Sequence, residues 1–482
     1  MDVMLVYPPI SVEERYGSRK VGKKVGGHLP PLGIACLAAF VREKGYAVDV
    51  VDSLALEISN DDLLKRAADL KPKVIGFSIL TMNYHRAVES AKILREQFPD
   101  ILFIVGGHHA SIMPKEIMQD NSNCFDLLVY GEGELTLLEL LDKYKESDFN
   151  KTKFLKEFNL LKNIKGIVFK KHDEVVLNER RELIQDLDIL PFPARDLLPM
   201  DKYIPLPNQY LRLPVVHMTV IRGCAFQCAF CSNNSVFGRR IRAKSPKRAV
   251  DEIEHVMKMY GARELSFWDD TMTTVNKWME DFCDEILNRH LNVTWTCYSR
   301  VDTVTLELLK KMKQAGCWNI FYGFEAGNQQ LLDNICKGIT LDQIRNANNW
   351  TKEAGIEVRA SFMIALPGET PELAQETINF AIELDPDYAQ FSITTPYPGT
   401  RLWQDVEKFG TLNKDFSKYH LWEPVFVPFG YKNKEQIMEV EKKAFKQFYL
   451  RPKFIIKSLR KIRSIEDIKR YIKGLRFLLG FV

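Results

Sequence analysis

Three cysteines in the segment CAFQCAFC are the residues of this chain best suited to chemistry. Cys224, Cys228 and Cys231 have a C-x3-C-x2-C spacing and follow the apolar, strand-like segment VVHMTVIRG. Soft thiolates favour iron–sulfur clusters or zinc, and three of them can each bind one corner iron of a cubane cluster. No fourth cysteine lies nearby, so one iron would keep an open coordination site, which is typical of a catalytic metal rather than a structural one. The spacing therefore predicts a [4Fe–4S] cluster.

Zinc and disulfide bonds explain these cysteines less well. A structural zinc site normally closes with four Cys or His ligands, and no second cysteine pair follows this one. The chain has only 9 Cys in 482 residues and no secretory signal pattern at its start, which predicts a reducing, cytoplasmic environment. The net charge of +4 does not by itself indicate nucleic-acid binding. No apolar run approaches the ~18 residues that a membrane span needs.

The first part of the chain alternates short β-branched runs with helical patterns. This alternation predicts an α/β domain over residues 1–149, with a doubly wound, Rossmann-like parallel sheet whose ligand lies beyond the carboxyl ends of the strands. Glycine-rich segments at those ends would let the backbone approach a large ligand and offer amides to a phosphate. The alternative is that these glycines only form tight turns. The predicted strands are 3–9, 46–53, 73–80, 101–107 and 126–131.

The second part contains six strand–helix units. Six units fall short of the eight-unit barrel, which needs ~250 residues, so we expect a partial (β/α)6 TIM-type barrel over residues 208–430. Its catalytic face should be the carboxyl ends of the strands, where the three cysteines lie. Between the two domains, Pro191, Pro193 and Pro199 favour an extended linker over residues 150–207. A basic helical extension is expected over residues 431–482.

Together these motifs resemble the radical S-adenosylmethionine enzymes, and most closely their cobalamin-dependent class. In the barrel the resemblance rests on the cysteine motif and on the segments FWDDTMTT, YSRVD, FYGFEAG, FMIALPGET and ITTPYPGT. In the N-terminal domain it rests on PPLG, GGHH and GEGE, in this order. The similarity covers nearly the whole chain. It implies that the free iron binds the amino and carboxylate groups of S-adenosylmethionine, and that the reduced cluster cleaves it to a 5′-deoxyadenosyl radical. An electron donor such as a flavodoxin or ferredoxin is then required.

The resemblance also implies a set of contacts for S-adenosylmethionine. Asp270 and Glu325 would be anionic partners of its ammonium and ribose hydroxyls, and Arg300 would pair with its carboxylate. For these three residues the alternative is an ion-pair network at the barrel mouth. Phe230 would stack on the adenine. Pro367 and Gly368 would form the turn that brings backbone close to it.

For cobalamin, the resemblance places the corrinoid over the strand ends, with its nucleotide tail running into the sheet. The D-x-H-x-x-G motif that supplies a cobalt-binding histidine elsewhere is absent, so neither His108 nor His109 is expected to bind cobalt. The residues expected to contact the cofactor are Pro31, Leu32, Gly33, Ser78, Gly106, Gly107, His108, Gly131, Glu132 and Gly133.

The function expected from this resemblance is methylation of an unactivated carbon or phosphorus of a small molecule, such as a lipid or a tetrapyrrole. One alternative keeps the radical but not the methyl transfer, as in an oxidative cyclase or a rearrangement enzyme. Another is a sensor that binds cobalamin or a cluster without turnover. No cysteine follows Cys336, which excludes the C-terminal auxiliary-cluster domains of peptide-modifying relatives. The sequence identifies neither the substrate nor a catalytic side chain.

Residues 451–482 form a basic tail with apolar residues at helical spacing. The tail carries ten Lys or Arg against Glu466 and Asp467. A basic amphipathic helix of this kind can lie on an anionic membrane surface, which would suit a lipid substrate. The alternative, which we expect, is a helix that packs its apolar face on the barrel and leaves its charges in water.

Overall fold

The N-terminal part of the chain folds around a seven-stranded sheet. The computed structural model describes residues 1–11, 14, 27–420 and 423–479. The strand order is β2-β1-β3-β4-β5-β6-β7, in which β1 to β5 are parallel and β6 and β7 are antiparallel. The strands are β1 (Val3–Tyr7), β2 (Val48–Asp52), β3 (Val74–Ser78), β4 (Leu102–Gly106), β5 (Leu127–Val129), β6 (Ile167–Lys171) and β7 (Glu174–Leu177).

Helices cover both faces of this sheet, so the prediction of a doubly wound domain is confirmed. Successive residues of β1 point to opposite faces, and Val3 and Leu5 enter one hydrophobic core while Met4 and Val6 enter the other. The first core is covered by helices Leu32–Glu43 and Glu134–Glu146. The second is covered by Asn60–Leu70, Tyr84–Gln97 and Pro114–Asn121.

The sheet extends beyond the predicted domain boundary at residue 149. Strands β6 and β7 form a hairpin whose turn contains His172 with φ +53°, and β6 pairs with β5. The prediction of a linker over residues 150–207 was therefore wrong for this hairpin, because its two short apolar runs, IVF and VVL, were not identified as strands. The proline-containing part that follows has only three short 3₁₀ turns, Leu187–Ile189, Arg195–Leu197 and Met200–Lys202.

Six parallel strands form the partial barrel, in the order β15-β14-β13-β12-β11-β8. This confirms the predicted six-unit barrel. A short antiparallel ribbon, β9 with β10, precedes its first helix. The strands are β8 (Val215–Met218), β9 (Ile221–Arg222), β10 (Arg242–Ala243), β11 (Glu264–Phe267), β12 (Thr294–Ser299), β13 (Cys317–Glu325), β14 (Glu357–Ile364) and β15 (Tyr388–Ile393).

Helices pack on the outside of the barrel strands. The first of them begins with the Ser245 hydroxyl accepting a hydrogen bond from the Arg248 amide and with Pro246 at the first helical position. The five helices that follow β10 to β14 in this layer are Pro246–Tyr260, Asn276–Asn288, Leu306–Gln314, Leu341–Glu353 and Pro371–Leu384.

The barrel also extends beyond its predicted end at residue 430. A hairpin of β16 (Gly410–Leu412) and β17 (Phe426–Pro428) leads to helix Lys434–Tyr449, whose residues Ile437, Ala444 and Phe448 belong to the barrel core. Two further helices, Pro452–Arg460 and Ile465–Leu479, complete the described chain. No helix in the described ranges is both long and apolar enough to span a bilayer.

Candidate active site

The three cysteines lie in a loop that follows β9, at the carboxyl end of the barrel. Gly223 opens this loop with φ +90°, and a side chain at this position would collide with the Arg240 carbonyl oxygen. The Asp269 carboxylate accepts hydrogen bonds from the Val220 amide at 2.7 Å and the Ile221 amide at 2.5 Å. The barrel therefore fixes the backbone from which the cysteine loop starts.

The cysteine thiols are surrounded by N–H donors. Burial raises the pKa of Cys224, and it raises the pKa of Cys231 to about 11. Against this effect, the backbone amides of Phe226 and Asn233 donate to Cys224 and Cys231, respectively, and lower the pKa of each. Such donors stabilise thiolates and tune iron–sulfur clusters, so the surroundings fit the predicted cluster.

The arrangement of the cysteines fits a cluster better than a single ion. Among the residues that the structure describes, no three His, Cys, Asp or Glu side chains converge as ligands of one metal ion. A cubane does not require such convergence, since each thiolate binds a different iron.

Glu325 lies at the carboxyl end of β13, where the pairing with β14 shifts its register. Its backbone has φ +63°, and its Oε1 atom lies 2.6 Å from the Lys337 Nζ atom. Both side chains are buried. Lys337 was not predicted as a site residue, because the sequence gives no sign that a lysine twelve positions later folds back onto this carboxylate.

Arg300 lies between the cysteine loop and Lys337. Its guanidinium makes a two-pronged ion pair with Asp302, at 2.9 Å for both contacts, and donates to the Lys337 carbonyl at 2.9 Å. It stacks 3.6 Å from the centre of the Phe226 ring, and its Nη1 atom lies 3.6 Å from Cys228 Sγ. Arg300 and Glu325 thus each take part in an ion pair, which is the kind of contact that the alternative interpretation of these residues expected.

Asp270 differs from these two residues because no cation of the described part of the chain pairs with it. Its carboxylate accepts a hydrogen bond from the Asn233 side-chain amide at 2.6 Å. Burial raises the pKa of Asp270 to about 6, and its charge in turn raises the pKa of Cys224 and Cys231. The structure therefore brings Asp270 next to the predicted cluster ligands.

Phe230 lines a cavity of about 650 Å³ at the barrel mouth. Pro367 and Gly368 do not line this cavity. Gly368 has φ +78° in the turn after β14, and the Pro367 carbonyl accepts from the Asn334 side chain at 2.8 Å. The residues that line the cavity with Phe230 are Met363, Gln390, Ser392, Ile393, Thr395 and Tyr397.

A second cavity, of about 900 Å³ including open solvent, lies over the carboxyl ends of the N-terminal strands. At Gly33 no atom of the described residues lies within 4 Å of the position that a Cβ would occupy, so the missing side chain leaves space among them. Pro31 and Leu32, which were also predicted to contact cobalamin, do not line the cavity and instead begin helix Leu32–Glu43. The predicted residues that do line it are Gly33, Ser78, Gly106, Gly107, His108, Gly131, Glu132 and Gly133.

The deep part of this cavity is apolar. Leu5, Ile104 and Val129 line it from strands β1, β4 and β5, and Leu37 lines it from the helix above the sheet. An apolar slot between a sheet and a helix suits a flat aromatic group at the end of a nucleotide tail. The cavity therefore fits the cobalamin binding mode that the sequence predicts.

The two histidines of GGHH have different surroundings. His108 lines the cavity edge-on to Phe237, with 5.8 Å between ring centres, and burial lowers its pKa. His109 is buried outside the cavity lining, and its Nδ1 atom lies 3.1 Å from the Thr81 hydroxyl.

Ion pairs join the two domains beside this cavity. Arg222 lies 3.0 Å from Glu132 and 2.6 Å from Glu134, and Arg242 lies 2.9 Å from Glu132. The glycines of the GEGE segment predict backbone amides that face a ligand, but the sequence does not indicate that the carboxylates of this segment hold the barrel. Such pairs join residues about a hundred positions apart, so local patterns do not indicate them.

A short helix lies between the cysteine loop and the cavity that is predicted to hold cobalamin. Helix Asn234–Phe237 follows Cys231 after two residues, and its Val236 and Phe237 side chains line the cavity. The Arg180 guanidinium donates to the carbonyls of Ser235 and Val236, both at 2.7 Å. One short helix therefore connects the predicted cluster site to the predicted cobalamin site.

Comparison with known proteins agrees with this geometry. Residues 18–141 match the family model of the B12 binding domain, and residues 218–381 match that of the radical SAM superfamily. The chain belongs to the radical S-adenosylmethionine superfamily, to the class of enzymes with a B12-binding domain. The cofactors of this class are a [4Fe–4S] cluster, S-adenosylmethionine and cobalamin.

Individual relatives extend over nearly the whole chain. An uncharacterised methyltransferase of Pyrococcus horikoshii is 36% identical over 98% of this chain and 98% of its own length. An anaerobic magnesium-protoporphyrin IX monomethyl ester cyclase of Rubrivivax gelatinosus is 30% identical and covers 90% of this chain and 76% of its own. Among solved structures, the cobalamin-dependent radical enzyme OxsB, with aqua-cobalamin and S-adenosylmethionine bound, superposes with a TM-score of 0.73 at 17% identity. That match covers 100% of this chain and 72% of OxsB, and it shows the shared fold.

Proposed function

We propose that the chain is a cobalamin-dependent methyltransferase that moves a methyl group from S-adenosylmethionine to an unactivated carbon or phosphorus of a small molecule. The observation that supports this function most strongly is that helix Asn234–Phe237 follows the cysteine loop and also lines the cavity that is predicted to hold cobalamin. When bound, the cluster supplies the electron that cleaves one S-adenosylmethionine, and cobalamin carries the methyl group of another. A radical enzyme that methylates its substrate needs both groups close to one substrate position.

The residues at the barrel mouth are proposed to bind S-adenosylmethionine. Cys224, Cys228 and Cys231 would bind the cluster. Asp270, which lies beside them and pairs with no cation among the residues that the structure describes, suits the ammonium group. Arg300 would turn one of its N–H groups to the carboxylate, and Glu325 would accept from the ribose hydroxyls. Phe230 would stack on the adenine at the edge of the barrel-mouth cavity. The turn at Pro367 and Gly368 would bring backbone close to the adenine.

In the N-terminal cavity, the eight lining residues of the predicted set are proposed to hold cobalamin. The glycines would leave room for the corrinoid at the strand ends, and the apolar slot would take its nucleotide tail. Burial lowers the pKa of His108, which keeps the ring neutral beside Phe237. A protein histidine bound to cobalt is not part of the proposal.

The substrate is proposed to be a small molecule, with lipids and tetrapyrroles as leading classes. The barrel-mouth cavity combines apolar side chains with the polar groups of Gln390, Ser392 and Thr395, so it can hold a largely apolar molecule with a few hydrogen-bonding groups. A one-electron donor such as a flavodoxin or ferredoxin completes the set of partners. In this proposal the enzyme works in the cytoplasm, close to a membrane if its substrate is a lipid.

A radical cyclase without methyl transfer is the second candidate. The observation that favours it is the 30% identity to the cyclase of Rubrivivax gelatinosus over 90% of this chain. Methyl transfer is preferred because the relative that is 36% identical over 98% of the chain carries the name of a methyltransferase.

The products formed from S-adenosylmethionine distinguish these functions. The reconstituted, reduced protein with cobalamin is incubated anaerobically with candidate lipids or tetrapyrroles, and 5′-deoxyadenosine and S-adenosylhomocysteine are quantified. Methyl transfer predicts that both form with substrate, whereas cyclisation predicts 5′-deoxyadenosine alone. If neither product ever forms, the proposed function is wrong. Cys228→Ala is the control that should abolish both products.

A further inference from the structure

The two C-terminal helices turn polar side chains towards the barrel. Lys461, which follows the first of them, lies 2.6 Å from Glu357 and 2.8 Å from Asp387. Arg470, in the second, is buried and donates to the Tyr210 carbonyl at 2.6 Å. Glu357 begins β14 and Asp387 directly precedes β15, so these helices cover the amino-terminal end of the barrel. Phe454 and Leu478 pack against the barrel core, whereas seven other aliphatic residues of the tail are exposed, so the expectation that the tail packs its apolar face on the barrel holds only in part.

Both helices also carry exposed aliphatic residues. Their exposed fractions lie between 45% and 72%. In the second helix they recur every three or four residues, which places them on one side of it. We call this set the apolar stripe; it consists of Ile455, Ile456, Leu459, Ile465, Ile468, Ile472 and Leu475.

Basic residues accompany the apolar stripe. Arg460, Lys469 and Arg476 are exposed, and none of them makes an ion pair with any residue in the described part of the chain. Glu466 is the exposed acidic residue of the same helix. The surface is thus apolar and has basic residues beside it. A binding partner that matches it would have an apolar layer with anionic groups at its edge.

We propose that the apolar stripe and its basic residues bind the surface of an anionic lipid bilayer, with both helices lying in the plane of the membrane interface. Amphipathic helices with Lys and Arg beside large apolar residues bind in this way, and each basic residue adds attraction to anionic lipids. A protein partner fits less well, because protein interfaces are centred on aromatic residues, whereas the apolar stripe consists of isoleucine and leucine alone.

This docking surface is separate from the proposed catalytic site. The cysteine loop lies at the carboxyl end of the barrel strands, whereas the C-terminal helices cover their amino-terminal end. Membrane binding can therefore be tested without the proposed reaction. The proposed membrane binding does not depend on whether the reaction is a methyl transfer or a cyclisation.

The test is co-sedimentation of the full chain with vesicles of equimolar phosphatidylcholine and phosphatidylglycerol, compared with vesicles of phosphatidylcholine alone. We expect binding to the anionic vesicles that weakens as salt is added. The triple variant Ile456→Glu, Leu459→Glu and Ile472→Glu should reduce the bound fraction at least about tenfold. The variant Arg460→Gln, Lys469→Gln and Arg476→Gln should weaken binding to the anionic vesicles only.

A control variant and a folding readout accompany this test. Met259→Glu places a carboxylate at a residue that is 60% exposed on a different barrel helix, and it should bind vesicles as the wild type does. The circular dichroism spectrum and unfolding midpoint of the triple variant should match the wild type, since the three replaced side chains point away from the barrel.

Three outcomes would overturn the proposal. The wild type could fail to bind anionic vesicles, or the triple variant could bind them as strongly as the wild type does. In the third outcome, the wild type is a dimer without affinity for vesicles and the triple variant is a monomer by light scattering. The apolar stripe would then be covered by a second copy of the chain.

Discussion

The Lys337 ammonium group lies 2.6 Å from the Glu325 carboxylate at the carboxyl end of β13, and both side chains are buried. If Glu325 also accepts from the ribose hydroxyls of S-adenosylmethionine, Glu325→Gln removes a charged acceptor from that contact. Hydrogen bonds to charged groups contribute about 1.5–3 kcal/mol, so we expect S-adenosylmethionine to bind at least about tenfold more weakly. Equilibrium binding by calorimetry on the reconstituted protein measures this change.

Glu357→Gln is the matched control for that substitution. Glu357 also pairs with a lysine at 2.6 Å, but its partner Lys461 lies at the amino-terminal end of the barrel. Its substitution should leave the affinity for S-adenosylmethionine unchanged. If both variants bind S-adenosylmethionine as the wild type does and only the unfolding midpoint of Glu325→Gln falls, Glu325 has a structural role alone.

Cys228→Ala tests the assignment of the cluster ligands. With one thiolate removed, we expect the anaerobically reconstituted protein to hold clearly fewer than about four irons per chain and to lose the visible absorption of a [4Fe–4S] cluster. Cys336→Ala is the control, because Cys336 is also partly exposed but lies outside the cysteine loop, with its sulfur 3.4 Å from Arg401. A Cys228→Ala protein with a normal four-iron cluster would contradict the assignment.

Gly33→Leu tests the cobalamin cavity. Among the described residues no atom lies within 4 Å of a Cβ at this position, so we expect a leucine to fit the fold but to occupy space in the cavity. Gly33 is also in the first turn of a helix, where a residue other than glycine costs nothing or stabilises by up to about 1 kcal/mol. We expect the variant to keep its unfolding midpoint and to bind cobalamin at least about tenfold more weakly, as measured by absorbance titration.

The neighbouring substitution Leu32→Met provides the comparison for Gly33→Leu. Leu32 begins the same helix but does not line the cavity, so its variant should bind cobalamin normally. Equal cobalamin affinity for Gly33→Leu and the wild type would mean that the cofactor binds elsewhere.

Local patterns predicted the strands and their ligand-bearing ends well, and they predicted the pairing of distant residues poorly. The eight cavity-lining residues and the cysteine loop follow from the rule that parallel strands place their carboxyl ends at one edge of a sheet. The pairs Lys337–Glu325, Arg222–Glu132 and Lys461–Asp387 depend on tertiary structure. In the tail, helical spacing indicated an amphipathic helix but not which side faces the barrel. The carboxylates at the amino-terminal ends of β14 and β15 determine which side of the tail faces the barrel.

Glu369 gives a prediction for the pH dependence of stability. This buried carboxyl holds the turn that contains Pro367 and Gly368, since it accepts from the Ala365 amide at 2.6 Å and from the Tyr431 hydroxyl at 2.5 Å. Burial raises the pKa of Glu369 to about 7, whereas a glutamate in an unfolded chain has a pKa of about 4.3. Between these values the folded protein keeps a proton that the unfolded chain has lost, so the free energy of unfolding falls as the pH rises.

Glu369→Gln should remove this pH dependence, because a neutral amide resembles the protonated carboxyl and its oxygen can accept the same two hydrogen bonds. We expect the variant to be more stable than the wild type by about 1 kcal/mol at about pH 8, and the advantage to shrink as the pH falls towards 5. Chemical unfolding at several pH values measures the difference. Glu372→Gln, at an exposed carboxylate whose pKa is lowered by a hydrogen bond from Thr370, should show no gain at alkaline pH. If Glu369→Gln and the wild type lose stability equally between pH 6 and pH 8, Glu369 is already ionised in the folded protein at pH 6, and its raised pKa does not cause the loss.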